Sequence, residues 1–103
     1  MAYVLRFVQE YAVDEPERFM ELERRFAEME QRREDWPTGR RLEPYAGAEP
    51  TNALIWECAF DTLGDLHAAL DRIEADPEHA DLFADQAPCI TRARTEIYRT
   101  LDL

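Results

Sequence analysis

The strongest strand signal in the chain lies at residues 52–60, Asn-Ala-Leu-Ile-Trp-Glu-Cys-Ala-Phe. Successive side chains of a strand point to opposite faces. One face of this stretch therefore carries four apolar residues, Leu54, Trp56, Cys58 and Phe60. The other face holds Ala53, Ile55 and Ala59 beside Glu57. Apolar residues on both faces are typical of a central strand that is covered on both sides.

Three more stretches are rich in β-branched and aromatic residues and predict strands at 3–13, 40–46 and 89–101. Pro44 cannot donate to a strand ladder, so the second of these belongs at a sheet edge. Helix starts are indicated at Asp14, at Asp61 or Thr62, and at Asp76. The order βαββαβ predicts an α+β, ferredoxin-like fold, with a four-stranded antiparallel sheet and its helices on one face.

Length and charge limit the possible functions. The chain has 103 residues and a formal net charge of −11, which suits one domain spanning 1–103. Such a charge argues against binding to nucleic acid and to anionic membranes. All twelve basic residues are arginine, which excludes lysine chemistry. There is no long apolar run and no signal-peptide pattern, so we expect a cytoplasmic protein.

The face of the predicted sheet that lacks helices mixes apolar and charged residues. We expect it to be the interface of a homodimer, in which arginine–glutamate pairs fix the register. The alternative is a solvated sheet face. The candidate interface residues are Val4, Arg6, Ile55, Glu57, Arg94 and Glu96.

The sequence resembles the dimeric α+β barrel superfamily in three segments. They are 52–70, Asp76-Pro-Glu-His-Ala-Asp-Leu-Phe83 and the closing 94–99. Within it, the NIPSNAP-like and antibiotic-biosynthesis-monooxygenase-like domains are nearest. The resemblance implies ferredoxin-like domains that pair sheet to sheet, and a superfamily that includes cofactor-independent monooxygenases and haem-degrading enzymes. The haem-degrading branch has an asparagine on the first strand and a histidine on a later helix. This chain has no asparagine on its first strand, and Phe83 stands where the histidine would be, so we expect no cofactor. No conventional spacing of metal ligands occurs around His79, so we expect no metal.

The candidate catalytic residue is His67, which the sequence places on the inward stripe of its helix between Leu66 and Leu70. A histidine there could act as a general base or orient a phenolic substrate. Alternatively, its ring packs at the core margin and hydrogen-bonds a backbone carbonyl. His79 is expected on the solvated surface. The candidate ligand-binding residues are Phe7, Gln9, Tyr11, Asn52, Trp56 and His67.

Three functions remain open. The first is a homodimeric domain of unassigned function that binds a small, largely apolar ligand or serves as an accessory domain. The second is a cofactor-independent monooxygenase-like enzyme acting on a small aromatic or polyketide-like substrate. The third is a structural dimer without a ligand. The two cysteines, Cys58 and Cys89, are expected to be reduced and buried.

Overall fold

A computed structural model describes residues 2–103. Within this range, four strands and three helices follow one another in the order expected from the sequence, and the third helix ends in a short 3-10 turn. The elements are β1 (Tyr3–Tyr11), α1 (Pro16–Arg32), β2 (Arg40–Leu42), β3 (Ala53–Phe60), α2 (Leu63–Ala75), α3 (Pro77–Gln86), the turn (Ala87–Cys89) and β4 (Ile90–Arg99). The strands form one antiparallel sheet in the order β2-β3-β1-β4. The α+β, ferredoxin-like fold is confirmed.

The helix starts follow from local chemistry, with one exception. The Thr62 hydroxyl accepts a hydrogen bond from the Asp65 backbone N–H at 3.0 Å and caps α2. The Asp76 carboxylate accepts from the His79 backbone N–H at 2.9 Å and caps α3. The expected cap of α1 at Asp14 is wrong, because the helix is preceded by Glu15 and has no side-chain cap. Pro16 alone marks that start, through its fixed φ.

The strand predicted at 40–46 is shorter than the sequence suggested. The stretch 40–46 pairs with β3 only over Arg40–Leu42. Pro44 has no N–H to donate, so the chain leaves the ladder just before it. The edge position expected for this strand is confirmed by the sheet order. The connection 43–52 then runs back to β3.

The core lies between one face of the sheet, here the helix face, and the helices. Phe19, Leu22, Phe26 and Met29 of α1 are at most 5% exposed. From the sheet, Leu5, Trp56 and Cys58 pack with Leu66 of α2. Each such large apolar side chain stabilises the fold by roughly 1.5–3 kcal/mol relative to an exposed one. Both cysteines are free; Cys58 is buried, whereas Cys89 is only half-buried.

The opposite side of the sheet, the second face, carries a row of alternating charges. Arg40, Glu57, Arg6 and Glu96 are direct neighbours across the four strands. The Glu57 carboxylate accepts hydrogen bonds from Arg6 at 2.8 Å and from Arg40 at 2.8 Å. These ion pairs lie within one chain, and the expected pairing of arginine and glutamate across a two-fold seam stays a prediction.

Part of the second face is covered by the chain itself. Val8, Ala53 and Ile55 are at most 8% exposed, although no helix packs there. Glu49 in the connection 43–52 forms an ion pair with Arg94, which is the cross-strand partner of Val8. This ion pair holds the connection across the sheet. None of the helices within residues 2–103 is long and apolar enough to cross a membrane.

Candidate functional site

A cavity of about 290 Å³ lies between the helix face of the sheet and helices α1 and α3. Six rings from different parts of the chain line it. They are Phe7, Phe26, Trp36, Trp56, His79 and Phe83. A second group of side chains supplies polar atoms at one end. It consists of Glu23, Glu30, Arg41 and Gln86.

The rings are held by regular structure. Phe7 and Trp56 are cross-strand partners whose rings stack at 5.3 Å. The His79 imidazole lies 5.1 Å from the Phe26 ring and stacks on Trp36 at 5.8 Å. Phe83, one helical turn beyond His79, is parallel to the imidazole at 6.3 Å. Each pair lies in the range of favourable aromatic contact, so the wall is ordered before any ligand arrives.

His79 is the titratable group of the aromatic wall. Burial lowers the pKa of its imidazole below the usual 6.5, and the opposing influence of Asp76, Glu30 and Glu23 is smaller. The ring is therefore uncharged near neutral pH. Among residues 2–103, its two ring nitrogens have no hydrogen-bond partner. A neutral imidazole with a free nitrogen can accept a proton or a hydrogen bond from a ligand.

The polar end is a connected network around Arg41. The Arg41 Nε donates to Glu23 at 2.6 Å, and its two terminal nitrogens bind Glu30 at 3.0 and 2.7 Å. Gln86 Nε2 donates to the other Glu23 oxygen at 2.9 Å and to the Phe19 carbonyl at 3.4 Å. Burial opposes the charge of Arg41, but hydrogen bonds and attraction from Glu30 and Glu23 outweigh it and raise its pKa. The guanidinium of Arg41 therefore stays charged at neutral pH.

Trp56 links the cavity to the edge strand. Its Nε1 is buried and has no hydrogen-bond partner among the described residues. The indole packs directly on Gly39, and a Cβ at that position would overlap the ring. Only glycine therefore lets the chain before β2 lie flat on this wall of the cavity.

Three of the sequence-predicted ligand residues line the cavity: Phe7, Gln9 and Trp56. Tyr11 does not, because its ring stacks on Phe19 at 4.6 Å in a neighbouring part of the core. Asn52 serves the backbone instead, since its Nδ2 donates to the Tyr11 carbonyl at 2.8 Å.

The inward orientation expected for His67 is wrong. Its side chain is exposed and does not line the cavity. Helix α2 buries Leu66, Ala69 and Ile73, and one residue corresponds to about 100° of rotation, so His67 turns away from the sheet. The histidine at the cavity is His79, which sequence reasoning had assigned to the surface.

Sequence analysis did not predict the polar end of the cavity, although the sequence contains part of the pattern that indicates it. Glu23 and Glu30 are seven residues apart, and Glu23 lies within the stripe of Phe19, Leu22 and Phe26. Acidic residues on the apolar side of a helix need a buried partner. The partner, Arg41, follows Arg40 in a three-residue strand, and no local pattern says which of the two arginines faces the helices.

No protein-family model matches the chain, and no curated protein matches it. Solved structures do. An uncharacterized NIPSNAP domain protein from Burkholderia xenovorans superimposes with a TM-score of 0.77 at 14% identity, over 98% of this chain and 95% of that one. A NIPSNAP family protein from Agrobacterium tumefaciens gives 0.78 at 13% identity, over 98% and 87%.

A third similar structure is a putative antibiotic biosynthesis monooxygenase from Caulobacter crescentus. It has a TM-score of 0.76 at 8% identity and covers 98% of this chain and 91% of that one. At such low identities the likeness concerns the fold. The chain thus has the ferredoxin-like α+β fold that NIPSNAP domain proteins and antibiotic-biosynthesis-monooxygenase-like proteins share.

Proposed function

We propose that this chain binds a small aromatic molecule in the cavity between its sheet and helices. The observation that carries the proposal is the wall of six rings closed at one end by charged groups. Pockets for small molecules are mostly apolar with a few placed polar groups and span about 300–1,000 Å³. The volume of about 290 Å³ suits a ligand of one or two rings.

The position of Phe83 supports access from solvent. Its side chain is 41% exposed, yet it lines the cavity. The ring therefore lies at the mouth, where a ligand would pass it.

Intrinsic fluorescence tests this proposal, because the chain has only two tryptophans and both line the cavity. Titration with naphthalene-sized aromatic compounds should change the emission saturably and raise the melting temperature. Phe83→Ala should weaken binding about tenfold by removing one ring of the mouth. Leu63→Ala, equally exposed at 41% on α2, is the matched control and should bind normally. An unchanged spectrum and melting temperature across a broad aromatic set would refute ligand binding.

A second candidate function is a cofactor-independent monooxygenase acting on an aromatic or polyketide-like substrate. The observation in its favour is the neutral His79 imidazole, unpaired and enclosed by rings. It could remove a proton from an acidic C–H or phenolic O–H, and the resulting anion would react with dioxygen. One oxygen atom would enter the substrate as a carbonyl and the other would leave as water.

An oxygen electrode separates this candidate from simple binding. Dioxygen consumption with polycyclic phenols should fall at least a hundredfold in His79→Gln, because general-base catalysis contributes on that scale. His67→Gln removes the exposed histidine and should leave the rate unchanged. If both variants consume dioxygen at the parental rate, the enzyme proposal is wrong.

We also propose that the protein acts as a homodimer paired through the second face. Tyr98 lies on that face and is 50% exposed, and Val4 beside it is only half-buried. These groups, together with the resemblance to sheet-paired domains, support the pairing. Light scattering after size exclusion should give twice the 12.1 kDa chain mass. Arg94→Glu should shift it toward one chain, because three carboxylates would then meet at Glu49 and Glu96; Arg18→Glu on α1 should not.

A further inference from the structure

The charges at the polar end of the cavity do not balance. Two carboxylates, Glu23 and Glu30, share the single guanidinium of Arg41. Glu23 is only 7% exposed, so solvent screens it little. Arg94 also contributes to the wall, but its guanidinium is already paired with Glu49 and Glu96 on the second face. One net negative charge therefore remains at this end.

Hydrogen-bond acceptors also outnumber donors there. Each carboxylate offers about four acceptor positions, and Glu23 and Glu30 each accept two hydrogen bonds from protein groups. Both amide protons of Gln86 are used by Glu23 and the Phe19 carbonyl, which fixes the orientation of the amide. Its Oε1 then accepts no hydrogen bond from residues 2–103. The polar end of the cavity therefore has free acceptors for a ligand group that donates hydrogen bonds.

The rest of the wall favours positive charge as well. The faces of Trp, Tyr and Phe rings attract cations through their quadrupole. Trp36 and Trp56 both line the cavity, and the Trp36 ring already stacks against one cation, the guanidinium of Arg33 at 4.9 Å. The chain as a whole carries a net charge of −11, which raises the local concentration of cations. Anionic ligands are opposed by each of these features.

We infer that the ligand of this cavity is an aromatic amine bound as its ammonium ion. The N–H groups of the ammonium donate to Glu30, Glu23 and the Gln86 oxygen, while the ring system lies among Trp36, Trp56 and Phe26. This inference rests on the proposed function and assigns its ligand class. A neutral phenol would satisfy fewer acceptors, and a carboxylate would meet like charge.

Three compounds with the same ring system test the inference by isothermal titration calorimetry at pH 7. They are 2-(1-naphthyl)ethylamine, 2-(1-naphthyl)ethanol and 3-(1-naphthyl)propanoate. The amine should bind about tenfold more tightly than the alcohol, because it adds charge-assisted hydrogen bonds and attraction to the rings. The propanoate should bind most weakly. If the alcohol or the propanoate binds as well as the amine, the ligand class is wrong but aromatic binding stands; if none binds, both proposals fail.

The variant Glu30→Gln tests whether the charge at the polar end causes the preference for the amine. It keeps the size of the side chain and an oxygen for Arg41 but removes the net negative charge, so the preference for amine over alcohol should largely disappear. Glu28→Gln is the matched control, since it removes the same charge from an exposed position of the same helix that does not line the cavity. Circular dichroism checks that both variants are folded. A preference that survives in Glu30→Gln, or one lost equally in Glu28→Gln, would overturn the inference.

Discussion

The two faces of the sheet carry the same kinds of charged residue and use them differently. On the second face, Glu49, Glu57 and Glu96 meet Arg6, Arg40 and Arg94, so three carboxylates face three guanidinium groups. On the helix face, two carboxylates meet one guanidinium beside a cavity. The charges of the second face neutralise one another within the chain. The charges beside the cavity leave one carboxylate without a cation, which a ligand can supply.

The burial of the acids makes the comparison informative. Glu57 and Glu23 are exposed by only 8% and 7%. Hydrogen bonds from Arg40, and then from Arg6, outweigh burial and lower the pKa of Glu57. A buried carboxylate is tolerated only where such partners exist. Equal burial with unequal pairing therefore distinguishes a structural network from a candidate binding site.

The largest expected effect is the difference in stability between variants of Arg40 and Arg41, which are neighbours in the chain but lie on opposite faces of the sheet. Arg41→Met removes the cation that Glu23 and Glu30 share and should lower the free energy of unfolding by about 3 kcal/mol, because the buried Glu23 and the half-buried Glu30 then repel each other. Arg40→Met should cost less than about 1 kcal/mol, since its side chain is 72% exposed and Arg6 still pairs with Glu57. Urea unfolding measures both. Equal losses would show that the two networks do not differ as described.

The two faces should also lose stability in different pH ranges. The folded-state pKa of His79 is below 6.5, so its contribution is present above pH 6.5 and is lost as pH falls through the lowered value. The pKa values of Glu57 and Glu96 lie below 4.5, so their contributions are lost only below pH 4.5. The pKa of Asp76 on the helix side is also lowered, from 3.8, so its contribution is lost only below pH 3.8.

Thermal melts between pH 7.5 and 3 test this separation. In His79→Gln, the melting temperature should no longer fall just below pH 6.5, and its fall below pH 4.5 should be unchanged. In Glu57→Gln, the fall below pH 4.5 should be reduced, and the fall just below pH 6.5 should be unchanged. If the melting temperature of His79→Gln still falls like that of the parent below pH 6.5 and before the glutamates titrate, the assignment of that range to His79 is wrong.

The smallest expected effect is at the margin of the second face. Tyr98 Oη donates to Glu96 at 3.0 Å, and Arg6 lies over the tyrosine ring at 5.2 Å. Tyr98→Phe removes the hydrogen bond and keeps the ring. Because the site is half exposed, unfolding free energy should change by less than about 0.5 kcal/mol. A loss above about 1.5 kcal/mol would mean that this margin belongs to the buried network.

Much of the architecture was set by local pattern. Alternation in 52–60 predicted a central strand, and Ala53–Cys58 are all buried. Thr62 and Asp76 predicted two helix starts, because a capping side chain acts within three residues of itself. The stripe Phe19, Leu22, Phe26 and Met29 predicted the buried side of α1. The fold resemblance drawn from these segments agrees with the solved structures.

The binding site was decided by packing between elements. The side of α2 that packs on the sheet differs by one position from the predicted one, so His67 is exposed. Helix α3 instead places His79 among Phe26, Trp36 and Phe83. Arg40 and Arg41 are alike in sequence, and only pairing with β3 assigns them to opposite faces. Periodicity and capping are interactions over three or four residues, so the sequence by itself determined the elements and their order. The cavity and its unbalanced charge depend on contacts between residues far apart in the chain, and these exist only once the tertiary structure has formed.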